Sequence, residues 1–467
     1  METEATETTT TAAATALSVA EGRRRRERKP TATATRWPDF EARTTYEPST
    51  GVPRSYFLGH HRAALDHMRR VLATVGLVIE CRDLRVPLTA WNPLLETSLS
   101  SGVATEEERS SSSGRGDEGQ SKTGGVAGLA SLSSAGPLAS FLPSAQTDRM
   151  RIIVYTKRDL VVDESAGGRR SQRSQAAASL SPSSADLRRL AGFHRNEADA
   201  VLFMGGGDEQ GTAAAGAVAR REASRLVAAV RAAAQRHGQQ SLTGLRALVV
   251  GMPNAGKSTL LNRLRAHGMA DPSRRARAAK TGSQPGVTRK LGTPTPTSSD
   301  DTLLLMDTPG VFVPYVQDPE SMLKLALAGC VREGLVPSVA LADYLLFQLN
   351  RRDPARYVDA FGLRQPTTDV HVLLDAVARR TGKLARHGEP ALDAAALHLV
   401  HAWRRGRLGR FCLDDLDPDS LAAARDAARR GSPLSLNQAR RREKERRKAR
   451  QAARHSGIVF TETGSTA

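Results

Sequence analysis

The octapeptide Gly251-Met252-Pro253-Asn254-Ala255-Gly256-Lys257-Ser258 constrains this chain more than any other stretch. Two glycines set apart by four residues and followed by lysine and serine form a loop whose backbone N–H groups can cradle phosphate oxygens. The context that such a loop needs is present. Leu245 to Val250 is an apolar run suited to a buried parallel strand, and Ser258 to Arg265 reads as a helix burying Leu260, Leu261 and Leu264. The positive end of that helix would face the phosphates. Lys257 is expected to reach the β and γ oxygens and Ser258 to ligate magnesium, with Asn254, Ala255, Gly256 and Thr259 as the other contacts of a nucleotide site.

Three further motifs fit the same chemistry. Met150 to Tyr155 reads as a second buried strand, ending in Thr156-Lys157-Arg158-Asp159. A carboxylate at Asp159 can accept two hydrogen bonds from the N1–H and exocyclic amine of guanine, a donor pair that adenine lacks, with Thr156 and Lys157 supporting it. After the phosphate loop, Thr288 in Pro285-Gly286-Val287-Thr288-Arg289 is positioned to meet magnesium and the γ-phosphate. A strand over Thr302 to Met306 then runs into Asp307-Thr308-Pro309-Gly310, where Asp307 would hold magnesium through water and the Gly310 N–H would sense the γ-phosphate. Lys257, Ser258, Thr288 and Asp307 are polar residues with no packing reason to occur in this order.

In an ordinary small GTPase the phosphate loop comes first and the guanine motif last. Here Thr156 to Asp159 precedes Gly251 to Ser258, so the expected fold is an α/β domain circularly permuted around the same mostly parallel sheet. The segment after Asp307 to Gly310 leads directly into a helical pattern, which lets nucleotide state bias the position of that part. In that region Val370, Leu373, Leu374 and Val377 fall on one helical face. Leu392, Ala395, Ala396, Leu399 and Trp403 repeat it, with Gly406 as a cap.

Composition bounds the rest. Of 467 residues only 39% are hydrophobic and 4% aromatic, and the net charge is +19, which points either to nucleic acid or an anionic surface, or to a soluble protein with basic tails. Cys81, Cys330 and Cys412 are too dispersed for a metal quartet or a disulfide framework and suit a reducing compartment. No apolar run approaches a membrane span, so membrane association would be peripheral. The chain divides into a tail and candidate transit segment at 1–50 and a nucleotide domain at 51–318 that carries a low-complexity insertion at 97–147. A helical domain at 319–437 and a basic tail at 438–467 follow. Leu65, Met68 and Leu72 read as one helix face stopped at Gly76, and Leu77 to Cys81 as a strand followed by a turn from Arg82 to Pro87. A strand over Ala198 to Met204 and a helix over Ala213 to Gln235 come next. Residues 438–454 carry nine basic and two acidic side chains, read either as a solvated tail or as a phosphate-backbone contact. Arg274, Arg275, Arg277, Lys280 and Arg289 have the same two readings.

On these residues the sequence resembles the circularly permuted ribosome-assembly GTPases of the YlqF/RbgA type, in particular the mitochondrial GTPase 1 branch. The matching stretches are Tyr56 to His60, Val78 to Pro93, Thr156 to Leu160, Gly251 to Asn262, Pro285 to Arg289, Asp307 to Val313, Met322 to Leu349 and Trp403 to Asp415. The resemblance implies hydrolysis of GTP with Mg2+ as a checkpoint in maturation of the mitochondrial large ribosomal subunit. It also implies rRNA contact and peripheral association with the matrix face of the inner membrane; the chain is expected to act as a monomer. His60 matches a histidine proposed to position water in relatives, with a structural role as the alternative. Asn254 resembles an asparagine that binds K+ in potassium-stimulated relatives, with a hydrogen bond inside the loop as the alternative. Two features depart from the pattern. Thr156 stands where asparagine is usual, and the second guanine-contacting loop, expected near Met204 to Gly207, has no Ser-Ala signature. The position where Ras-like enzymes carry a water-orienting glutamine is Val311, which leaves a slow hydrolase or a catalytically silent GTP-dependent RNA scaffold.

Overall fold

A computed structural model describes residues 36–49, 51–53, 71–72, 74–91, 150–162, 182–205, 213–238, 245–268, 303–308, 310, 316, 318–430, 441 and 444–445. His60, Thr288, Val311, the 97–147 insertion, the basic run from Arg274 to Arg289 and most of the 438–467 tail lie outside them.

Five strands rich in branched apolar residues form one parallel sheet: β1 (Leu77–Asp83), β2 (Met150–Thr156), β3 (Ala200–Phe203), β4 (Arg246–Gly251) and β5 (Leu304–Asp307). Their order is β3-β2-β1-β4-β5. Winding therefore runs outward from β1 to β3, then returns to the other side of β1 at β4. The crevice beyond the carboxyl ends of β1 and β4, where the winding reverses, is where such sheets bind ligands. Burial on both faces explains the nearly unbroken apolar runs.

Two expectations shift on pairing. Arg82 and Asp83 belong to β1, because Asp83 pairs with Thr156 across the sheet. Gly76 is not a left-handed helix stop: its N–H donates to the Arg246 carbonyl and its own carbonyl accepts from Met150, so it enters the sheet. β5 likewise ends on Asp307, through pairing with Val249.

The described helices are α1 (Ser184–Phe193), α2 (Ala213–Arg236), α3 (Lys257–Gly268), α4 (Pro319–Ala328), α5 (Ser338–Arg352), α6 (Ala355–Phe361), α7 (Val370–Thr381), α8 (Leu392–Arg404) and α9 (Pro418–Arg430). One sheet face is covered by α2 and α3 through Leu226, Val230, Ala233, Leu260, Leu261 and Leu264. The opposite face packs against α1 and α9 through Leu190, Phe193 and Leu421, with Cys412 and Leu416 between. Buried charge accompanies that second face. The Glu80 carboxylate lies between Arg82 (2.6 Å) and Arg151 (2.5 Å). Burial alone would raise its pKa, but the two guanidinium groups hold it down at about 2.

Helices α4 to α8 make a bundle whose seam follows the expected period: Leu373, Leu374 and Val377 of α7 face Ala395, Ala396, Leu399 and Trp403 of α8. Asp318 caps α4 by accepting from the Glu320 and Ser321 N–H groups, with Pro319 in the first turn. Gly406, at φ +74°, follows α8 as expected, with Arg407 N–H closing back on the Ala402 carbonyl. Val86, Ala90 and Met252 belong to the same buried cluster as this bundle, so the turns after β1 and β4 are packed against the helices. Among the described residues no helix is long and apolar enough to cross a membrane.

Candidate nucleotide site

The phosphate loop leaves β4 at Gly251, whose φ is +143°. A Cβ there would lie 2.2 Å from the Cys81 carbonyl oxygen, so only glycine lets the loop turn this close to β1. Asn254 (φ 57°) and Gly256 (φ 84°) are also left-handed. Lys257 opens α3 with its side chain buried, and Nζ donates to the carbonyls of Met252 (2.7 Å) and Gly251 (3.3 Å). Burial pushes this ammonium below its ordinary pKa, against the pull of Asp307. Thr259 stands in the first turn of α3.

The guanine-type motif meets this loop directly. A Cβ on Gly256 would approach the Thr156 side chain at 3.2 Å. Thr156 Oγ1 donates to the Ala255 carbonyl at 2.9 Å, so the threonine that replaces asparagine still ties motif to loop. Lys157, left-handed at φ 60°, sends Nζ to the Asn254 carbonyl (2.8 Å) and to Asp83 Oδ2 (2.7 Å). Two non-glycine residues in the left-handed region, bonded to each other, mark stored strain of the kind found at ligand sites. Asp83 is fully buried. Burial would raise its pKa, but Arg85, bonded through Nε (3.0 Å) and Nη2 (2.7 Å), and Lys157 hold it well below the usual carboxylate range.

Asp159 lies in the turn after β2, and Gly205 at the end of β3 sits against it: a Cβ on Gly205 would be 3.5 Å from Asp159 Oδ1. Gly205 N–H donates to Glu222 Oε1 (2.9 Å) of α2, and its carbonyl accepts from Arg263 Nη1 (2.8 Å) of α3. The loop that the sequence left without a signature thus begins at an anchored glycine beside the base motif; Gly206 and Gly207 lie outside the described residues.

On the other side, Asp307 Oδ2 accepts from Ser258 Oγ at 2.9 Å, while Asp307 Oδ1 is buried with no partner among the described residues. Burial raises the Asp307 pKa despite Lys257 and Ser258 beside it. A hydroxyl and a carboxylate with an unused oxygen, next to a phosphate loop, are the hard oxygen donors that suit Mg2+. Among the described residues no group of three His, Cys, Asp or Glu side chains could hold a metal, so phosphate and water oxygens would complete such a shell. Thr308 Oγ1 donates to the Val249 carbonyl (2.7 Å), fixing the start of the following loop. Gly310 lies against Pro253: a Cβ would come within 2.6 Å of its Cα.

The expected residues Thr156, Lys157, Asp159, Asn254 to Ser258, Asp307 and Gly310 are therefore brought around one rim. Asp83, Arg85, Glu222 and Arg263 also build that rim. Their only sequence signal is an acid closing an apolar strand, whose partner across the sheet is revealed by pairing alone.

The family model described as 50S ribosome-binding GTPase matches residues 246–366. Mitochondrial GTPase 1 of Schizosaccharomyces pombe is 41% identical over 172 residues, which are 37% of this chain and 50% of that protein. Mitochondrial ribosome-associated GTPase 1 of Xenopus tropicalis is 36% identical over 191 residues, 38% of this chain and 60% of that protein. In these two the match spans only half to three fifths of the relative. Mitochondrial GTPase 1 of Schizosaccharomyces japonicus matches over 80% of this chain and 96% of its own length at 25% identity. In this chain the base-motif strand β2 comes before the phosphate-loop strand β4, and the family-model match begins at β4. The chain is thus similar to mitochondrial GTPase 1 proteins over most of its length, and its segment 246–366 matches a ribosome-binding GTPase family model on a sheet of permuted strand order.

Proposed function

We propose that the chain binds GTP with Mg2+ and hydrolyses it to GDP and phosphate, slowly by itself and faster on a ribosomal particle. One observation carries this reading: Thr156 and Lys157 of the base motif are bonded to the carbonyls of Ala255 and Asn254, so base recognition and phosphate cradle share one rim. Asp159 accepts the guanine N1–H and amine hydrogens. Lys257 exchanges its Met252 and Gly251 carbonyls for β and γ oxygens, while the loop N–H groups of Ala255 to Thr259 and Gly310 take the remaining phosphate oxygens. Ser258, Asp307 and Thr288 hold Mg2+, which when bound neutralises charge on the β and γ oxygens. His60 positions water, because Val311 occupies the glutamine position and offers no hydrogen bond. Asn254 is the candidate K+ contact.

The relatives' names, mitochondrial and ribosome-associated, support a role in assembly of the mitochondrial large ribosomal subunit. In this reading the domains are those of the sequence: a transit tail at 1–50, the GTPase unit at 51–318, helices at 319–437 and an rRNA-binding tail at 438–467. The protein acts as a monomer on the matrix side of the inner membrane, in peripheral contact. Val311 favours one second reading, a GTP-dependent rRNA scaffold without turnover.

The test is multiple-turnover hydrolysis of GTP and ATP in potassium buffer, with and without purified mitochondrial large subunits, with Lys257→Ala as the blank. The expected result is slow GTP turnover that the particles accelerate. Binding without cleavage on the particles establishes the scaffold, and equal use of ATP overturns the guanine reading.

A further inference from the structure

The C-terminal end of α4 is unusual in how its carbonyls are satisfied. The last carbonyls of a helix lack partners within it and carry the negative end of the dipole. Here the backbone closes two of them in the ordinary way, Gly329 N–H on Ala326 and Cys330 N–H on Leu325. Side-chain donors then take four consecutive carbonyls: Arg404 of α8 reaches Ala326 and Leu327 (both 2.9 Å), Arg85 reaches Ala328 (2.8 Å) and the Asn254 amide reaches Gly329 (2.8 Å). Two of these three donors come from the rim of the nucleotide site. They also close a circuit. Asn254 bonds Gly329; the neighbouring Ala328 bonds Arg85; Arg85 bonds Asp83; Asp83 bonds Lys157; and Lys157 returns to the Asn254 carbonyl. Arg85 is buried, lies over the Trp403 ring at 5.2 Å, and accepts the Leu413 N–H on its own carbonyl.

We propose that Arg85 is a positioning residue that locks the C-terminal end of α4 to the nucleotide site, so that loading of the site tightens α4 and the adjoining α8. The proposal rests on the nucleotide reading above. It differs from coupling through the segment after Asp307, because the connection runs to the far end of α4. A ring of hydrogen bonds has two routes from Asn254 to the helix end, so displacement of the phosphate loop cannot be absorbed by opening one contact.

The experiment is amide hydrogen exchange of the full chain, with and without GDP·Mg2+, following peptides that cover Leu325 to Val331, alongside a fluorescence titration of GDP binding. In the unaltered protein GDP should slow exchange there by about five-fold or more, the range of a typical coupling energy. Arg85→Lys keeps a charge beside Asp83 but loses the fork that spans Asp83 and Ala328. It should shrink the GDP-induced slowing to less than about two-fold, and by reciprocity weaken GDP binding by the factor lost. Arg404→Met frees Leu327 and leaves Ala326 to the Gly329 N–H alone, without touching Asp83, shrinks the response in the same way, and decides the matter if Arg85→Lys does not fold. A merely structural Arg85 gives faster exchange in both states with an unchanged GDP ratio, and that result overturns the proposal, as does GDP binding with no slowing in the unaltered protein. Failure of the unaltered protein to bind GDP overturns the nucleotide reading itself, and the relay with it.

Discussion

Replacement of Gly251 by alanine tests the argument that the phosphate loop is shaped by contact with β1. A normal carbon–oxygen approach is about 3.3 Å. The added methyl would lie 2.2 Å from the Cys81 carbonyl oxygen, about 1 Å too close to a backbone atom that cannot rotate away. Relief requires opening the Cys81–Gly251 end of the β1–β4 ladder. Lost pairing contributes about 1 kcal/mol. Holding a methyl-bearing residue at φ +143° adds about 1–3 kcal/mol. With displacement of the packed strand, the expected loss is about 3–5 kcal/mol, a large part of a domain's stability. Gly238→Ala is the control. It has φ +74° and nothing among the described residues within 4 Å of the added methyl, so it should lose only about 1–2 kcal/mol. Urea unfolding followed by far-UV circular dichroism measures both. If Gly251→Ala falls within about 1 kcal/mol of Gly238→Ala, the steric argument is wrong.

Asp307→Asn removes a buried carboxylate whose Oδ1 has no partner among the described residues, so in chelator it should melt no lower than the unaltered protein, while Mg2+ with GDP should stabilise only the latter in differential scanning fluorimetry. A folded-state pKa raised by burial places the Asp307 contribution at low pH. Stability from the protonated form is full below its unfolded pKa and is lost as pH rises through the folded value, so Asp307→Asn should flatten that limb in thermal melts across pH. Glu80 has the opposite sign. Its pKa falls from 4.5 to about 2, so about 3 kcal/mol is present above pH 4.5 and drains as pH falls toward 2; Glu80→Gln should abolish this acid dependence while lowering stability at neutral pH in urea titrations. Asp159→Asn should reduce GTP use and admit xanthosine triphosphate in turnover assays; unchanged preference for GTP refutes its role at the base. Removing residues 438–467 should weaken large-subunit binding and flatten its salt dependence, and an unchanged slope dismisses the tail as a phosphate contact.

The α/β class, the permuted motif order and the helical periods were legible because each depends on residues close in sequence. Lys257 and Ser258 are read from one octapeptide, and Leu373, Leu374 and Val377 from one helical turn and a half. The α8 face and its Gly406 cap were equally local. Strand ends were not. Asp83 looked like turn chemistry until its pairing with Thr156 placed it in β1, and Gly76 looked like a helix stop until its bonds to Arg246 and Met150 joined it to the sheet. In both cases a long-range partner overrode the local preference.

The sequence by itself determined which residues are expected to have phosphate, magnesium and guanine chemistry, and the order in which the chain delivers them, since functional groups and spacing are covalent facts. Only the tertiary structure decided what those groups lean on. Lys157 is held by Asp83, which is 74 residues away along the chain, and Asn254 by Gly329, 75 residues away. Gly205 is anchored by Glu222 and Arg263 from two different helices. Such partners carry no local pattern, because a buried carboxylate or carbonyl needs a donor within about 3 Å in space and is indifferent to where in the chain it originates.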